Sequence, residues 1–268
     1  MRRSVAQRPL CADLSDFRIQ SLGFPFCAVV VFVVLMSQAS TAFADNDEEQ
    51  VVKWITSAQE SGSLKVDFYP PDKQPNAFPG WTDFELTLEY QYDQKTRWMA
   101  SKGNKLTVTI VPRFTVIKPR ITHVIKLPES IDVMDWHESE LGRHELDHVA
   151  IGSHPRLVML TTHWLKNLGT IRRTVERTSE VTQKWAQASI TEEVDDRRRA
   201  VQLLVTTNNE RLDDLTRHGC REIRDRGAFF DRLFMKENLD ESKFEYLGEV
   251  LKLLETDDYR HASGLLMK

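Results

Sequence analysis

Apolar and polar residues alternate in four runs between residues 84 and 127. A period of two turns one side of each run toward a core and the other toward solvent, which is typical of β-strands. Between two of the runs, Lys102-Gly103-Asn104-Lys105 favours a tight hairpin turn. We therefore predict a small antiparallel sheet built from Phe84–Tyr90, Leu106–Val111, Phe114–Ile117 and Thr122–Leu127.

Helical periodicity replaces this alternation after Pro128 and continues to the C-terminus. Asp135, three residues before Glu138, fits a capping box and predicts a helix over Trp136–Ile151. Two apolar stripes at spacings of three and four then predict two long antiparallel helices with a turn between Ser179 and Thr191. The stripes are Leu157, Leu160, Trp164, Leu168, Ile171, Val175 and Trp185, followed by Val194, Val201, Leu204, Leu212 and Leu215.

The order of these elements predicts an α+β fold, in which a small antiparallel sheet region is followed by a helical region with a long helical hairpin. A short helical pattern at Glu48–Gln59 and a proline-rich loop near residues 70–80 precede the sheet. We expect residues 45–133 and 134–219 to form one domain. Apolar spacing around Phe229 and Leu247 predicts further helices in residues 220–268.

Residues 1–44 have the features of a signal peptide. Arginines precede an apolar run at Leu22–Met36, and Ala42-Phe43-Ala44 fits the small-x-small pattern of a cleavage site. We expect cleavage after Ala44 and export to the periplasm or beyond the cell. An uncleaved anchor is the alternative, because the run approaches the length that spans a bilayer. Membrane contact is expected only in that case.

Charge and cysteine content narrow the function classes. Removing residues 1–44 takes away four Arg and two Asp, so the formal charge changes from −4 to −6. Such an acidic chain lacks the overall positive field with which nucleic-acid-binding proteins neutralise phosphates, and we expect no nucleic-acid partner. After cleavage Cys220 is the remaining cysteine, so no intramolecular disulfide can form.

The most informative string is His144-Glu145-Leu146-Asp147-His148, an HExxH motif. Residues four apart on an α-helix project from nearly the same side, so both imidazoles can bind one Zn²⁺. A zinc with an open position lowers the pKa of its bound water to about 7, and a neighbouring carboxylate can accept the proton. We predict His144 and His148 as zinc ligands and Glu145 as the general base.

The third ligand has several candidates. His218 is favoured, because in an antiparallel hairpin with an early turn it comes level with His148 across neighbouring helices. His154 is the alternative, and it would need the helix to break at Gly152 and Pro155. A carboxylate such as Asp214 is a further candidate.

The HExxH motif, two long helices and then Asp213 or Asp214 with Thr216, His218 and Gly219 resemble a bacterial family of predicted secreted zinc-dependent proteases, first catalogued as a domain of unknown function. That family combines an export signal, a short β-rich region, HExxH and a closing D-x-x-T-x-H-G. The resemblance implies a supporting role for Asp213, which stands three residues before Thr216. The chain departs from the pattern just after HExxH, where it has Gly152, His154 and Pro155.

We therefore predict an exported zinc-dependent hydrolase of metalloprotease type that acts on a peptide or protein. A non-catalytic envelope protein with a structural zinc and a partner-binding helical surface is the alternative. A fourth protein ligand closing the site would favour the alternative, whereas an open position facing a cleft would favour catalysis.

Overall fold

The computed structural model describes residues 49–73, 78–177, 180–264 and 266, in which helices pack on one face of a mixed four-stranded sheet. This arrangement confirms the predicted α+β class. The predicted signal peptide lies outside the described residues. Over the described ranges, no helix is long and apolar enough to cross a membrane.

The sheet is built around β3 (Lys105–Pro128), which pairs along one edge with β2 (Trp81–Ala100) in an antiparallel hairpin. Two short strands share the other edge of β3. Strand β1 (Leu64–Tyr69) runs parallel to the end of β3, and β4 (Ile171–Glu176) runs antiparallel to its beginning. The hairpin turn falls at residues 101–104, as the sequence predicts.

The sheet differs from the expected one in two respects. The three predicted runs between residues 106 and 127 belong to the single strand β3, because Pro112 and a register shift at Gln91/Tyr92 interrupt the alternation without ending the pairing. The sheet is also mixed rather than antiparallel, because β1 joins in parallel. The alternation of Val66 and Phe68 indicates a strand but carries no information on its direction or partner.

The helices are numbered in chain order. Helix α1 covers residues 49–60, in agreement with the predicted helical pattern there. The others are α2 (Glu140–Gly152), α3 (Pro155–Lys166), α4 (Gln183–Thr216), α5 (Arg226–Arg232), α6 (Lys236–Glu241), α7 (Leu247–Leu254) and α8 (Asp257–Arg260).

Helix α2 begins later than predicted. Trp136–Glu138 forms a separate 3₁₀ turn, and the Asp135 side chain makes no capping hydrogen bond. The N-cap is Ser139, whose hydroxyl accepts a hydrogen bond from the amide of Gly142 at 2.9 Å. The 3₁₀ turn packs so closely on α2 that a Cβ on Gly142 would lie 1.9 Å from the Trp136 carbonyl oxygen. The glycine within this helix therefore reflects a close approach of neighbouring backbone.

The predicted long helical hairpin is wrong. The segment predicted as its first helix forms α3, strand β4 and the start of α4. The segment predicted as its second helix forms the rest of α4, which is 34 residues long. Ile171 and Val175 mislead because a spacing of four satisfies both a helical period and the period of two of a strand. In the structure Ile171 and Val175 follow the period of a strand, and both residues pair with β3.

The C-terminal helices share one core with the sheet. The larger hydrophobic cluster contains Ile125 of β3, Val149 of α2 and Leu254 of α7. Arg156 of α3 is 4% exposed and has only backbone acceptors for its guanidinium hydrogen bonds: the carbonyls of Asp231, Leu233, Tyr259 and Arg260. This buried cation ties the ends of α5 and α8 to α3.

Substituting Gly142→Ala tests the close contact between the 3₁₀ turn and α2. Because the added methyl group meets backbone rather than a movable side chain, we expect the free energy of unfolding to fall by about 1–3 kcal/mol. Gly248→Ala in α7 is the matched control, since its methyl group would meet nothing within 4 Å and helix propensity favours alanine by about 1 kcal/mol. Urea unfolding of both variants measures the difference, and equal stabilities would contradict the close approach.

Candidate metal centre

Helix α2 presents the two histidines of the HExxH motif on one buried face. His144 and His148 are each 7% exposed, and their Nε2 atoms lie 3.2 Å apart. The four-residue spacing on an unbroken helix produces this convergence, as the sequence predicts. The second ring nitrogen of His144, Nδ1, is buried and lacks a hydrogen-bond partner among the described residues. Its ring is therefore oriented through Nε2.

Asp213 of α4 supplies the third group. Its Oδ1 atom lies 3.0 Å from His144 Nε2 and 3.2 Å from His148 Nε2. Helix α4 packs against α2, which brings the last turns of α4 over the motif. Among the described residues, one group of three or more His, Cys, Asp or Glu side chains is close enough to hold a metal ion, and it consists of His144, His148 and Asp213.

The spacing of these three atoms suits a tetrahedral metal site. Ligand atoms about 2.0–2.1 Å from one tetrahedral zinc stand about 3.3 Å from one another. The three observed separations of 3.0, 3.2 and 3.2 Å approach that value. Two imidazole nitrogens and one carboxylate oxygen are also ligand types that zinc prefers. The residues therefore fit a zinc ion in both chemistry and spacing.

Glu145 lies beside this group and is fixed by the sheet. It is 1% exposed, and Thr82 at the start of β2 donates a hydrogen bond to its Oε2 atom at 2.8 Å. The other oxygen, Oε1, is directed at Gly80, where a Cβ would lie 2.7 Å away. Burial raises the pKa of Glu145 above its ordinary value, although the histidines and the Thr82 hydrogen bond act in the opposite direction.

The group is strongly coupled electrostatically. Burial disfavours ionisation of Asp213, but hydrogen bonds from His144 and His148 outweigh it and hold the pKa of that carboxyl well below its usual range. Burial by itself would lower the pKa of His148. The Asp213 and Glu145 carboxylates outweigh burial, so the pKa of His148 lies above its ordinary value. When both carboxyl groups are ionised and both imidazoles are neutral, the group is negatively charged and attracts a cation.

His218 lies next to the three-residue group. Its Nδ1 atom is 3.6 Å from Asp213 Oδ1, its side chain is 40% exposed, and its ring stacks on Phe78 with centroids 3.7 Å apart. Arg217, His218 and Gly219 all have positive φ. In the structure Asp213, and not the favoured His218, is the third member of the closest group.

The turn after α4 is shaped around the site. The Thr216 hydroxyl accepts a hydrogen bond from the Gly219 amide at 3.2 Å and donates one to the Leu212 carbonyl at 2.9 Å. Gly219 has φ +78°, and a Cβ there would lie 3.0 Å from His144 Cγ. Thr216 and Gly219 therefore position the turn and give the His144 ring its space.

The other candidate ligands lie apart from the group. His154 is the N-cap of α3: its Nδ1 atom accepts a hydrogen bond from the Arg156 amide at 3.1 Å, and its ring packs on Phe234. Burial lowers the pKa of His154 to about 3. The predicted chain break after His148 is real, but it starts a helix instead of supplying a ligand. Asp214 is exposed on the opposite side of α4 from the buried Leu212 and Thr216.

The site opens into a cavity of about 410 Å³ whose wall includes residues that the sequence analysis did not single out. Thr82, Gly80 and Phe78 come from the start of β2 and the loop before it, and Asn209 comes from α4. None belongs to a spaced motif. Thr82 and Gly80 could have been found only by knowing that β2 begins beside α2.

No protein-family model, curated protein or solved structure matches the chain. The likeness to secreted zinc-dependent proteases rests on the two short motifs alone.

Replacing Asp213 tests the composition of the centre. We expect one zinc per chain, and Asp213→Ala to weaken zinc affinity by about 100-fold or more, beyond the loss usual for groups that only support a ligand. Asp214→Ala is the matched control, because it removes the same charge from an exposed neighbouring position. Competition with a chromophoric chelator measures both affinities, and equal affinities would exclude Asp213 as a ligand.

Proposed function

We propose that the chain is an exported zinc-dependent hydrolase that cleaves peptide bonds. One observation carries the proposal: three ligand atoms separated by 3.0–3.2 Å converge next to the buried carboxylate of Glu145. The N-terminal features of a signal peptide support export.

His144, His148 and Asp213 would hold the zinc through Nε2, Nε2 and Oδ1. A zinc ion bound there supplies Lewis acidity, which polarises a substrate carbonyl and acidifies a bound water. Three protein ligands leave a fourth position of a tetrahedral ion for water or substrate. The cavity that contains all three residues supports an accessible fourth position.

Glu145 would move the proton. Hydrolysis joins the water oxygen to the carbonyl carbon and breaks the carbon–nitrogen bond, so one water proton must reach the departing amine. The Thr82 hydrogen bond fixes Oε2 of Glu145 and leaves Oε1 for that transfer.

The position of β2 favours a peptide among the amides that such a centre could cleave. Strand β2 pairs with β3 on one side, and within the described residues no strand pairs with its other side. Trp81 and Thr82 of this strand line the site cavity. An extended peptide can add to a free strand edge through backbone hydrogen bonds, and this would bring a peptide bond close to the zinc ligands.

Substituting Glu145→Gln tests the catalytic role. The amide cannot accept the proton, so we expect at least a roughly 100-fold lower kcat on a mixture of internally quenched peptides, with one zinc still bound per chain. Glu85→Gln on the exposed face of β2 is the control for the same chemical change. Undiminished turnover by the Glu145 variant would reject the general-base role.

The second candidate is the non-catalytic envelope protein with a structural zinc, and His218 is the observation that favours it. With Nδ1 3.6 Å from Asp213 Oδ1, His218 is near enough to become a fourth ligand after a small shift. Its stacking on Phe78 and its exposure instead suit a residue at the rim of an open site.

Replacing His218 separates the two functions. For an open catalytic centre we expect His218→Ala to retain one zinc per chain with less than about tenfold loss of affinity, since three ligands remain. For a closed structural centre the same change would remove a ligand, weaken zinc binding strongly and lower the melting temperature. Zinc titration and thermal unfolding measure both, and His163→Ala, on the partly exposed part of α3, controls for loss of an unrelated histidine.

A further inference from the structure

The far end of the β2–β3 hairpin carries an excess of positive charge. Between residues 94 and 128 the chain has eight Lys and Arg residues and no Asp or Glu. Those at the far end are exposed, and none of them forms an ion pair in the described parts of the chain. They are Lys95, Arg97, Lys102, Lys105 and Arg113, and Arg172 of β4 lies beside them.

Strand register places several of these side chains on one face of the sheet. Lys95 pairs with Val111, Arg97 pairs with Thr109, and Thr109 pairs in turn with Arg172. Directly paired residues project to the same side of a sheet. This side is exposed, whereas the opposite side packs on α4 through Val108 and Ile110.

Two adjacent arginines of β4 show the difference between the faces. Arg173 points toward α4 and pairs with Glu193 at 2.7 Å. Arg172 points away and has no acidic partner among the described residues. Two acidic residues lie on this part of the strands: Asp93 pairs in register with Arg113, and Glu176 pairs with Lys105. The positive charge of Lys95, Arg97, Lys102 and Arg172 is therefore not neutralised across the sheet.

Large apolar side chains are exposed within this basic region. Trp98 is 61% exposed, Met99 is 67% exposed and Val111 is 44% exposed. Trp98 and Met99 lie at the end of β2, where the chain turns into β3. Met99 pairs with Thr107 and projects to the same side as Arg97, whereas Trp98 pairs with Val108 and projects to the opposite side, so the two side chains flank the tip of the hairpin. We name Lys95, Arg97, Trp98, Met99, Lys102, Val111 and Arg172 the distal surface.

We propose that the distal surface docks on an anionic membrane surface with the tip of the hairpin pointing at the lipid, so that residues on both sides of the tip contact it. Basic side chains are attracted to anionic headgroups, and tryptophan prefers the boundary between headgroups and acyl chains. The exposed Trp98 and Met99 favour a lipid surface over an anionic polymer, because a polymer bound through its phosphates gains nothing from a thioether side chain. This proposal does not depend on the chemistry of the metal centre.

Docking in this way would set the distance of the metal centre from the membrane. Sixteen residues separate Thr82, at the centre, from Trp98. At about 3.3 Å per residue the two ends of β2 are about 50 Å apart. The chain would thus be held at a membrane surface while its metal centre faces material well away from the lipid.

Vesicle binding with charge-reversed variants tests the proposal. The chain is expressed with its own N-terminal segment and purified in the form that the cell produces. Its affinity is measured for phosphatidylcholine vesicles with and without phosphatidylglycerol. The gain in affinity caused by phosphatidylglycerol is then compared between variants that all carry the same N-terminal segment. We expect Lys95→Glu with Arg97→Glu to lower the anionic-lipid affinity by about tenfold or more.

Lys118→Glu with Arg120→Glu is the matched control. These residues are exposed on the same hairpin, near the metal centre, and Lys118 pairs in register with Glu89. Equal losses in the two double variants would overturn the proposal, because they would show that only overall charge matters. Absence of any preference of the unmodified chain for anionic vesicles would overturn it as well.

Trp98→Ser with Met99→Ser tests insertion and identifies the partner class. We expect this variant to keep salt-sensitive attraction at low ionic strength and to lose the binding that persists in high salt. A single-stranded oligonucleotide is then added as a competitor. If it displaces the chain from vesicles and binds the serine variant as tightly as the unmodified chain, the surface binds an anionic polymer and the membrane proposal is rejected. Thermal unfolding of each variant confirms that the sheet is intact.

Discussion

The polar contact between the two imidazoles of α2 and the Asp213 carboxylate of α4 is the interaction on which the local structure depends. Oδ1 of Asp213 is shared by His144 and His148, which are both almost fully buried. Burying such groups is unfavourable unless each has a partner. The crossing of α2 and α4 is therefore constrained not only by apolar packing but by the need to place one carboxylate oxygen over two ring nitrogens.

Several features without catalytic chemistry can be understood from that constraint. The backbone after α4 takes left-handed conformations at Arg217 and His218, which cost roughly 1–2 kcal/mol each for residues with a side chain. Thr216 offsets part of this cost with its hydrogen bond from Gly219. The turn brings His218 to the rim and lets Gly219 approach the His144 ring. Strain of this kind is typical of functional sites.

The sequence was informative where one local period sufficed and misleading where partners came from far along the chain. His144 and His148 converge because of helix geometry alone, and the hairpin turn follows from Gly103 and its neighbours. By contrast, whether Asp213 or His218 comes closer to the two histidines depends on the length of α4 and on where it crosses α2. The pattern for β4 is compatible with a helix as well, and only its pairing with β3 decides. His154 satisfies a ligand spacing but serves as a helix cap.

Net charge has a related limit as a predictor, because it averages over regions that the fold separates. The total charge is acidic, yet the fold gathers Lys95, Arg97 and Arg172 from two distant segments onto one face of the sheet. The acidic residues of α4 that could balance them, such as Glu193, are instead engaged by Arg173 and Arg197 on the other side. Since screening limits charge interactions to about 8–10 Å in physiological salt, a membrane would respond to the exposed face and not to the total.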